Sequence, residues 1–118
     1  MQIRVANRQD EPSIRAIVNQ TRASNGKSEI DLVGADSDLN NIDAQYFWYD
    51  GIFIVAEEEG EIVGLAGARR GNSEETLELL RLAVSADWRD KGIEQQMLDT
   101  VKFFAHNSDY REIQQHIR

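Results

Sequence analysis

The chain contains no cysteine. Disulfide frameworks, thiolate zinc sites and thiol nucleophiles are therefore excluded. It has two histidines, His106 and His116, too few for most histidine-based metal centres, and no metal site is expected. Only one proline, Pro12, occurs in 118 residues, and no Gly/Ser linker interrupts them, so a single unit over residues 1–118 is the simplest organisation. No apolar run approaches the roughly 18 residues of a spanning helix. Met1-Gln2-Ile3-Arg4 does not open like a secretory leader, and cytoplasm is the default expectation. Basic side chains are outnumbered, 13 Lys+Arg against 21 Asp+Glu, for a net charge of −8. That balance repels phosphate backbones and anionic lipid and argues against nucleic-acid or membrane partners. What is present, 41% hydrophobic and 29% charged residues, is the composition of a folded globular chain.

Hydrophobic periodicity divides the chain into elements. Gln2 to Asn7 alternates, with Ile3 and Val5 on one side, and reads as a short strand. Asn7 followed by Asp10 resembles a capping box, and Pro12 falls in a first helical turn, where its missing N–H costs little. Ile14, Ile17 and Val18 form an i, i+3, i+4 stripe, so a first helix runs to about Thr21. Ser24 to Asn41 is polar and acidic and reads as a loop, with a short helix near Leu39 to Phe47. Ile52 to Ala56 is a buried strand. Glu57 to Gly60 is a turn, and Glu61 to Ala68 returns as its hairpin partner. Gly64 and Gly67 in that strand mark a close approach. Thr76 to Val84 is apolar on both faces, with Leu77 and Leu79 pointing one way and Leu80, Leu82 and Val84 the other, so it is central and covered twice. Ile93, Met97, Leu98, Val101, Phe104 and Ala105 form one face of a second helix. Tyr110 to Ile117 is a last strand with Ile113 and Ile117 on one face. The fold class is α/β, with a mixed sheet.

The segment from Leu79 to Glu94 carries the chemistry. A buried strand runs into a turn containing Arg89 and Gly92, and a helix then opens. Unpaired N–H groups and the helix dipole at such a start suit a phosphate or pyrophosphate, although an ordinary strand-to-helix connection has the same outline. Gly92 permits close approach, and Arg89 and Lys91 add positive charge. Around the motif, the run Tyr46-Phe47-Trp48-Tyr49 either packs a short helix onto the sheet or floors a pocket. The acidic residues Glu29, Asp31, Asp36, Asp38 and Asp43 read as a solvated loop, or as a lure for a cationic substrate. Trp88 packs under its loop, and Arg69-Arg70 is either a surface turn or a phosphate contact.

Leu82-Ala83-Val84 followed by Arg89-Asp90-Lys91-Gly92 resembles the acyl-CoA-binding motif of the GNAT-type N-acetyltransferase superfamily, which reads Gln/Arg-x-x-Gly-x-Gly/Ala after a strand ending in Leu-x-Val. Ile3 to Ile14, the hairpin Gly51 to Gly64 and the strand Tyr110 to Ile113 extend the likeness over most of the chain. The resemblance implies an acyl-CoA N-acyltransferase-like fold and acetyl transfer from acetyl-CoA, as substrate, to the amine of a small molecule or peptide. It implies that Leu82, Ala83 and Val84 line the pantetheine arm, that residues Arg89, Asp90, Lys91, Gly92, Ile93 and Glu94 hold the pyrophosphate, and that Glu78 is the base that removes the amine proton. Glu78 otherwise reads as a charge at a strand start or a partner for Arg81.

Two departures from the family pattern stand out. The final Gly/Ala of the motif is Glu94. A carboxylate about 5 Å from one phosphate charge, at an effective dielectric of about 20, costs about 3 kcal/mol before screening, about two decades in affinity. Asp90 adds a second negative group. The sequence also stops after the Tyr110–Ile117 strand, where the family continues with a helix, whose tyrosine usually protonates the leaving thiolate, and a strand pair. Tyr46, Tyr49 and Tyr110 do not match that tyrosine. Without the strand pair the last strand is an exposed edge, open to pairing with a second copy. The alternative expectation is a catalytically degenerate module that binds CoA weakly or acts through protein–protein contact.

Overall fold

The computed structural model describes residues 1–118. Strand β1 (Gln2–Val5) leads through a 3-10 turn at Arg8–Asp10 into helix α1 (Glu11–Ser24). The Asn7 side chain accepts from the Gln9 N–H, and the Asp10 carboxylate accepts from the Asn7 N–H at 2.9 Å, so the capping box read in the sequence forms around the turn that precedes the helix. Asp10 also receives Arg4 in a bidentate pair at 2.8 and 2.9 Å. The Arg4 hydrogen bonds, chief among the causes, hold the Asp10 carboxyl below the usual carboxylate range despite its burial.

Residues 25–41 are irregular apart from a 3-10 turn at Ser37–Asn40. Helix α2 (Ile42–Gln45) and a 3-10 turn at Phe47–Tyr49 follow. The aromatic run thus packs in part. Tyr46 is fully buried and stands edge-on to Phe53 with ring centroids 4.9 Å apart, whereas Trp48 and Tyr49 are exposed.

The sheet holds five strands in the order β1-β2-β3-β4-β5, with β2 (Ile52–Glu58), β3 (Glu61–Arg70), β4 (Thr76–Val84) and β5 (Glu112–Gln115). The first three pairings are antiparallel and the last is parallel, as a strand–helix–strand crossover through α3 (Ile93–Asn107) requires. Glu59 and Gly60 both have positive φ, 50° and 83°, which matches the tight twist of a two-residue hairpin.

Side chains alternate across the sheet and build a core on each face. The α3 face collects Ile54, Leu77, Leu79, Val84, Ile93, Met97 and Val101. The α1 face collects Ile14, Leu39, Tyr46, Phe53, Leu65 and Leu80. Fully burying one side chain of this size contributes about 1.5–3 kcal/mol. The close approaches read at Gly64 and Gly67 come from the protein's own core. A Cβ at Gly64 would lie 3.0 Å from the Met97 Cε, and one at Gly67 would lie 2.5 Å from the Phe53 ring.

The register corrects the reading of β4. Gly67 pairs with Arg81 and Ala68 pairs with Leu79, so Leu80 is an extra residue, a β-bulge. The alternation changes phase there. Leu80 packs on the α1 face, while Leu82 and Val84 turn to the α3 face with Leu77 and Leu79. Arg81 is thereby placed on the α1 side, beside Leu80. The last strand also differs from expectation. It runs over Glu112–Gln115, with Ile113 packed toward α3, while Ile117 lies beyond its end and borders the same cavity as Val18 of α1. No helix is long and apolar enough to cross a membrane.

Candidate functional site

Strand β5 pairs with β4 only from Thr76 to Leu79. The His116 N–H reaches the Leu79 carbonyl and the Arg118 N–H the Leu80 carbonyl, and there the contact ends. Residues 81–84 of β4 keep β3 as a neighbour on one side, and β5 leaves their other side uncovered. The bulge and the short β5 together open a cleft in the sheet, and α3 begins at its end.

The loop after β4 is a 3-10 turn at Ala86–Trp88 followed by two left-handed residues, Asp90 (φ 61°) and Gly92 (φ 80°). A Cβ at Gly92 would meet nothing within 4 Å. The left-handed conformation therefore favours glycine here, and no part of the protein crowds the position. Gly92 is the N-cap of α3 and no side chain caps the helix, so the first N–H groups of a four-turn helix face outward. A cavity of about 380 Å³ lies over this end, lined by Val84, Trp88, Arg89, Asp90, Gly92, Ile93 and Glu94 among others. Arg89 and Glu94 are exposed. The Lys91 ammonium is drawn away over the Trp88 ring, 5.3 Å from its centroid.

These residues fit a nucleotide diphosphate through the uncapped helix end and Arg89. Asp90 and Glu94, on the same cavity wall, oppose its charge. Leu82 and Ala83 line a second, smaller cavity of about 220 Å³ on the α1 side. Arg69 and Arg70 sit at the opposite end of β3, paired across with Glu78 and Leu77. Arg69 bonds the Gln45 carbonyl at 3.0 Å and Arg70 pairs with Asp50 at 3.0 Å, so neither is near the Gly92 turn.

Glu78 lies roughly 13 Å along the strand from Leu82. Its Oε1 is 2.8 Å from His116 Nδ1, and this histidine, rather than Arg81, is its partner. The pairing was hidden in the sequence because the two residues lie 38 positions apart.

Arg81 has a different set of partners. Its Nε and Nη2 donate to Asp38 at 3.0 and 2.7 Å, and Nη2 also donates to Asp36 at 2.9 Å. Arg81 is 1% exposed and each aspartate 2%, so two members of the loop read as solvated are instead buried counter-ions. Tyr46 Oη donates to Asp38 at 2.6 Å, and Arg22 donates to Asp36 at 2.9 Å. Burial alone would raise both aspartate pKa values and lower that of Arg81. Hydrogen bonds outweigh it, so both carboxyls are held below the usual range and the guanidinium above its own. Burial, followed by the Asp38 charge, pushes the Tyr46 phenol well above its ordinary value. One signal was available in the sequence: an arginine inside an apolar strand needs buried anions to balance it.

A sequence model of the "Acetyltransferase (GNAT) family" matches residues 20–118. The N-acetylaspartate synthetase of Xenopus tropicalis is 33% identical over 78 residues, covering 65% of this chain and 29% of that protein. The matched segment therefore covers about three tenths of the length of that relative. The solved structure of a GNAT-family acetyltransferase from Staphylococcus aureus superposes with a TM-score of 0.81 at 23% identity, covering 92% of this chain and 68% of that one. An aminoglycoside 6'-N-acetyltransferase solved with coenzyme A superposes with a TM-score of 0.70 at 15% identity, covering 92% of this chain and 57% of that one.

Proposed function

The chain belongs to the GNAT acetyltransferase family, and from that premise we propose that it transfers an acetyl group from acetyl-CoA to the primary amine of a small molecule or peptide by direct attack. Acetyl-CoA supplies an activated acyl carbon. The exchange forms one C–N bond, breaks one C–S bond and leaves the amine's proton on the CoA thiol.

The observation that carries the reading is the cleft. The uncovered side of β4 residues 81–84 runs straight to the uncapped N-terminus of α3. Extended backbone there offers N–H and C=O groups to the pantetheine amides, and an N–H beside the thioester carbonyl stabilises the negative charge that develops on its oxygen. The Gly92 turn and Arg89 receive the pyrophosphate. Glu78, held by His116, takes the proton that the attacking amine gives up, directly or through water. The setting is a single GNAT-like unit in the cytoplasm, with a second copy as a partner along the free edge of β5.

A second reading draws on one observation. Glu94 shares the cavity with the helix end, and its carboxylate favours a module that binds CoA weakly or acts through protein–protein contact. Calorimetric titration with acetyl-CoA, paired with an assay of thiol release, tests both. Saturable heat and acceptor-dependent thiol release support the transferase. No heat at millimolar acetyl-CoA overturns it.

A further inference from the structure

Arg69 differs from the arginines around it. Arg22 and Arg81 are paired with Asp36, Arg81 also with Asp38, and Arg118 lies 3.9 Å from Asp38. Arg69 has no carboxylate partner. Its Nη1 donates to the Gln45 carbonyl at 3.0 Å and to Gln45 Oε1 at 3.3 Å, and its Nε and Nη2 donate to no protein atom. Unlike Arg81 Nη1, those two nitrogens are not sealed from solvent. The side chain is half-buried near the end of β3 and helps to wall a cavity of about 630 Å³, which it shares with Gln45, Arg118 and residues 34–38. Asp36 and Asp38 border this space too, but their oxygens are committed to Arg22, Arg81 and Tyr46.

The free edge of Arg69 is held ready. Gln45 fixes Nη1, and the Tyr46 and Tyr49 ring centroids lie 5.8 and 5.7 Å from the Arg69 Cζ. A guanidinium already oriented loses little freedom when it meets a ligand. Nε and one Nη side by side form the fork that takes a carboxylate through two parallel bonds. Arg81 uses the same edge, Nε and Nη2, to grip Asp38 at 3.0 and 2.7 Å. On Arg69 that edge is vacant of protein.

The neighbour across the sheet is Glu78. It stands directly opposite Arg69 in the β3–β4 register, where side chains share a face and Cβ atoms lie about 5 Å apart. Glu78 turns to His116 and leaves Arg69 free. A cation open to an anion and the proposed base for the amine therefore stand side by side, within reach of one small zwitterion.

We propose that Arg69 anchors a carboxylate of the amine acceptor through Nε and Nη2, and that the acceptor is an amino acid whose amine is left facing Glu78. This rests on the transferase reading and narrows it. A diamine or an aminoglycoside brings no anion for Arg69 and sets a like charge against it.

The test uses the whole chain and two probes: succinate, a carboxylate without an amine, and putrescine, a diamine without a carboxylate. Binding is followed through the NMR signals of the Arg69 Nε–H and the Gln45 side-chain amide. Succinate is expected to shift both saturably, and putrescine neither. Arg69→Gln removes the charged fork and is expected to weaken succinate about tenfold or more, the worth of a charge-assisted pair. Arg69→Lys keeps the charge and loses the fork. It is expected to bind succinate more weakly than wild type, and it serves as the test if Arg69→Gln does not fold. Absence of saturable succinate shifts, equal shifts from putrescine, or wild-type succinate affinity in a folded Arg69 variant overturns the proposal. Acetyl-CoA titration of the same samples separates the two ideas. Succinate binding without acetyl-CoA binding keeps the anion site and removes the transferase reading, and acetyl-CoA binding without succinate binding removes the anion site alone.

Discussion

Glu78 Oε1 and His116 Nδ1 lie 2.8 Å apart, one side chain from β4 and the other from the residue that follows β5. Parallel pairing of those strands makes the contact, since Thr76↔Glu112 to Leu79↔Gln115 fixes the register. A carboxylate oriented by an imidazole has the chemistry of an acid–base pair, and its role can be measured. Glu78→Gln is expected to lower kcat by about 100-fold or more, with KM for acetyl-CoA unchanged. His116→Gln is expected to lower kcat less, because it disturbs the orientation of Glu78 and leaves the carboxylate present. A Glu78→Gln enzyme within twofold of wild-type kcat removes Glu78 from the chemistry.

Glu94 opposes a phosphate in the cavity at the start of α3. Glu94→Ala keeps helix propensity and removes the charge. Acetyl-CoA should bind at least about tenfold tighter to the variant in dilute buffer. Salt at about 1 M shortens the screening length to about 3 Å and should shrink the difference. Equal affinities at low salt would mean that Glu94 rotates clear of the ligand.

The buried triad Arg81, Asp36 and Asp38 is expected to dominate local stability. Asp38→Ala removes the partner of both Arg81 Nε and Tyr46 Oη. Breaking a buried pair from one side costs about 3–5 kcal/mol, so the urea midpoint should fall sharply. Glu29→Ala, on an exposed loop residue, should change it little. Similar midpoints for the two variants would refute the assignment.

Acid should act through the same aspartates. Asp36, Asp38 and Asp10 all have folded-state pKa values below the ordinary carboxylate value. The stability they contribute is fully present above about pH 4, the unfolded-state value. It drains away as the pH falls from there through the depressed folded values, because the unfolded chain takes up protons first. Urea midpoints measured at pH 6 and at pH 3 should differ accordingly. A midpoint that is flat across that interval would contradict the depressed values.

The outer edge of β5 has no strand beside it. Glu112 and His116 point their N–H groups at β4, so by alternation the N–H groups of Ile113 and Gln115 point outward. Gln115→Pro therefore deletes an outward donor and spares the inner ladder. If two copies join along this edge, light scattering should show a dimer at high concentration that the variant loses. A wild-type mass that stays monomeric would rule the pairing out.

Much of the architecture was legible because burial leaves a periodic trace. The capping box at Asn7 and Asp10, the hairpin of β2 and β3, the span Thr76–Val84 and the α3 stripe all follow local pattern. Two things were not local. A bulge has no signature in a run of leucines, so the parity change at Leu80 became visible only through pairing with Gly67 and Ala68. The fate of Asp36 and Asp38 was also hidden, because acidic loop residues look solvated until an arginine from a strand over 40 positions away meets them. For the candidate site, the Gly92 turn was readable from its motif. The ion cluster around Arg81 depends on β4, α1 and the loop before α2 converging.

The supernumerary residue in β4 acts like a frameshift in a two-letter code. Upstream of it even and odd positions are assigned to one pair of faces, and downstream the assignment is swapped. Excising Leu80 would restore a uniform strand with Arg81 still on the α1 side opposite Gly67, and would take one leucine out of the α1 core. It would also straighten the backbone and seal the slot beside β5. A single deletion at that position should therefore weaken acetyl-CoA binding while sparing the buried ion cluster.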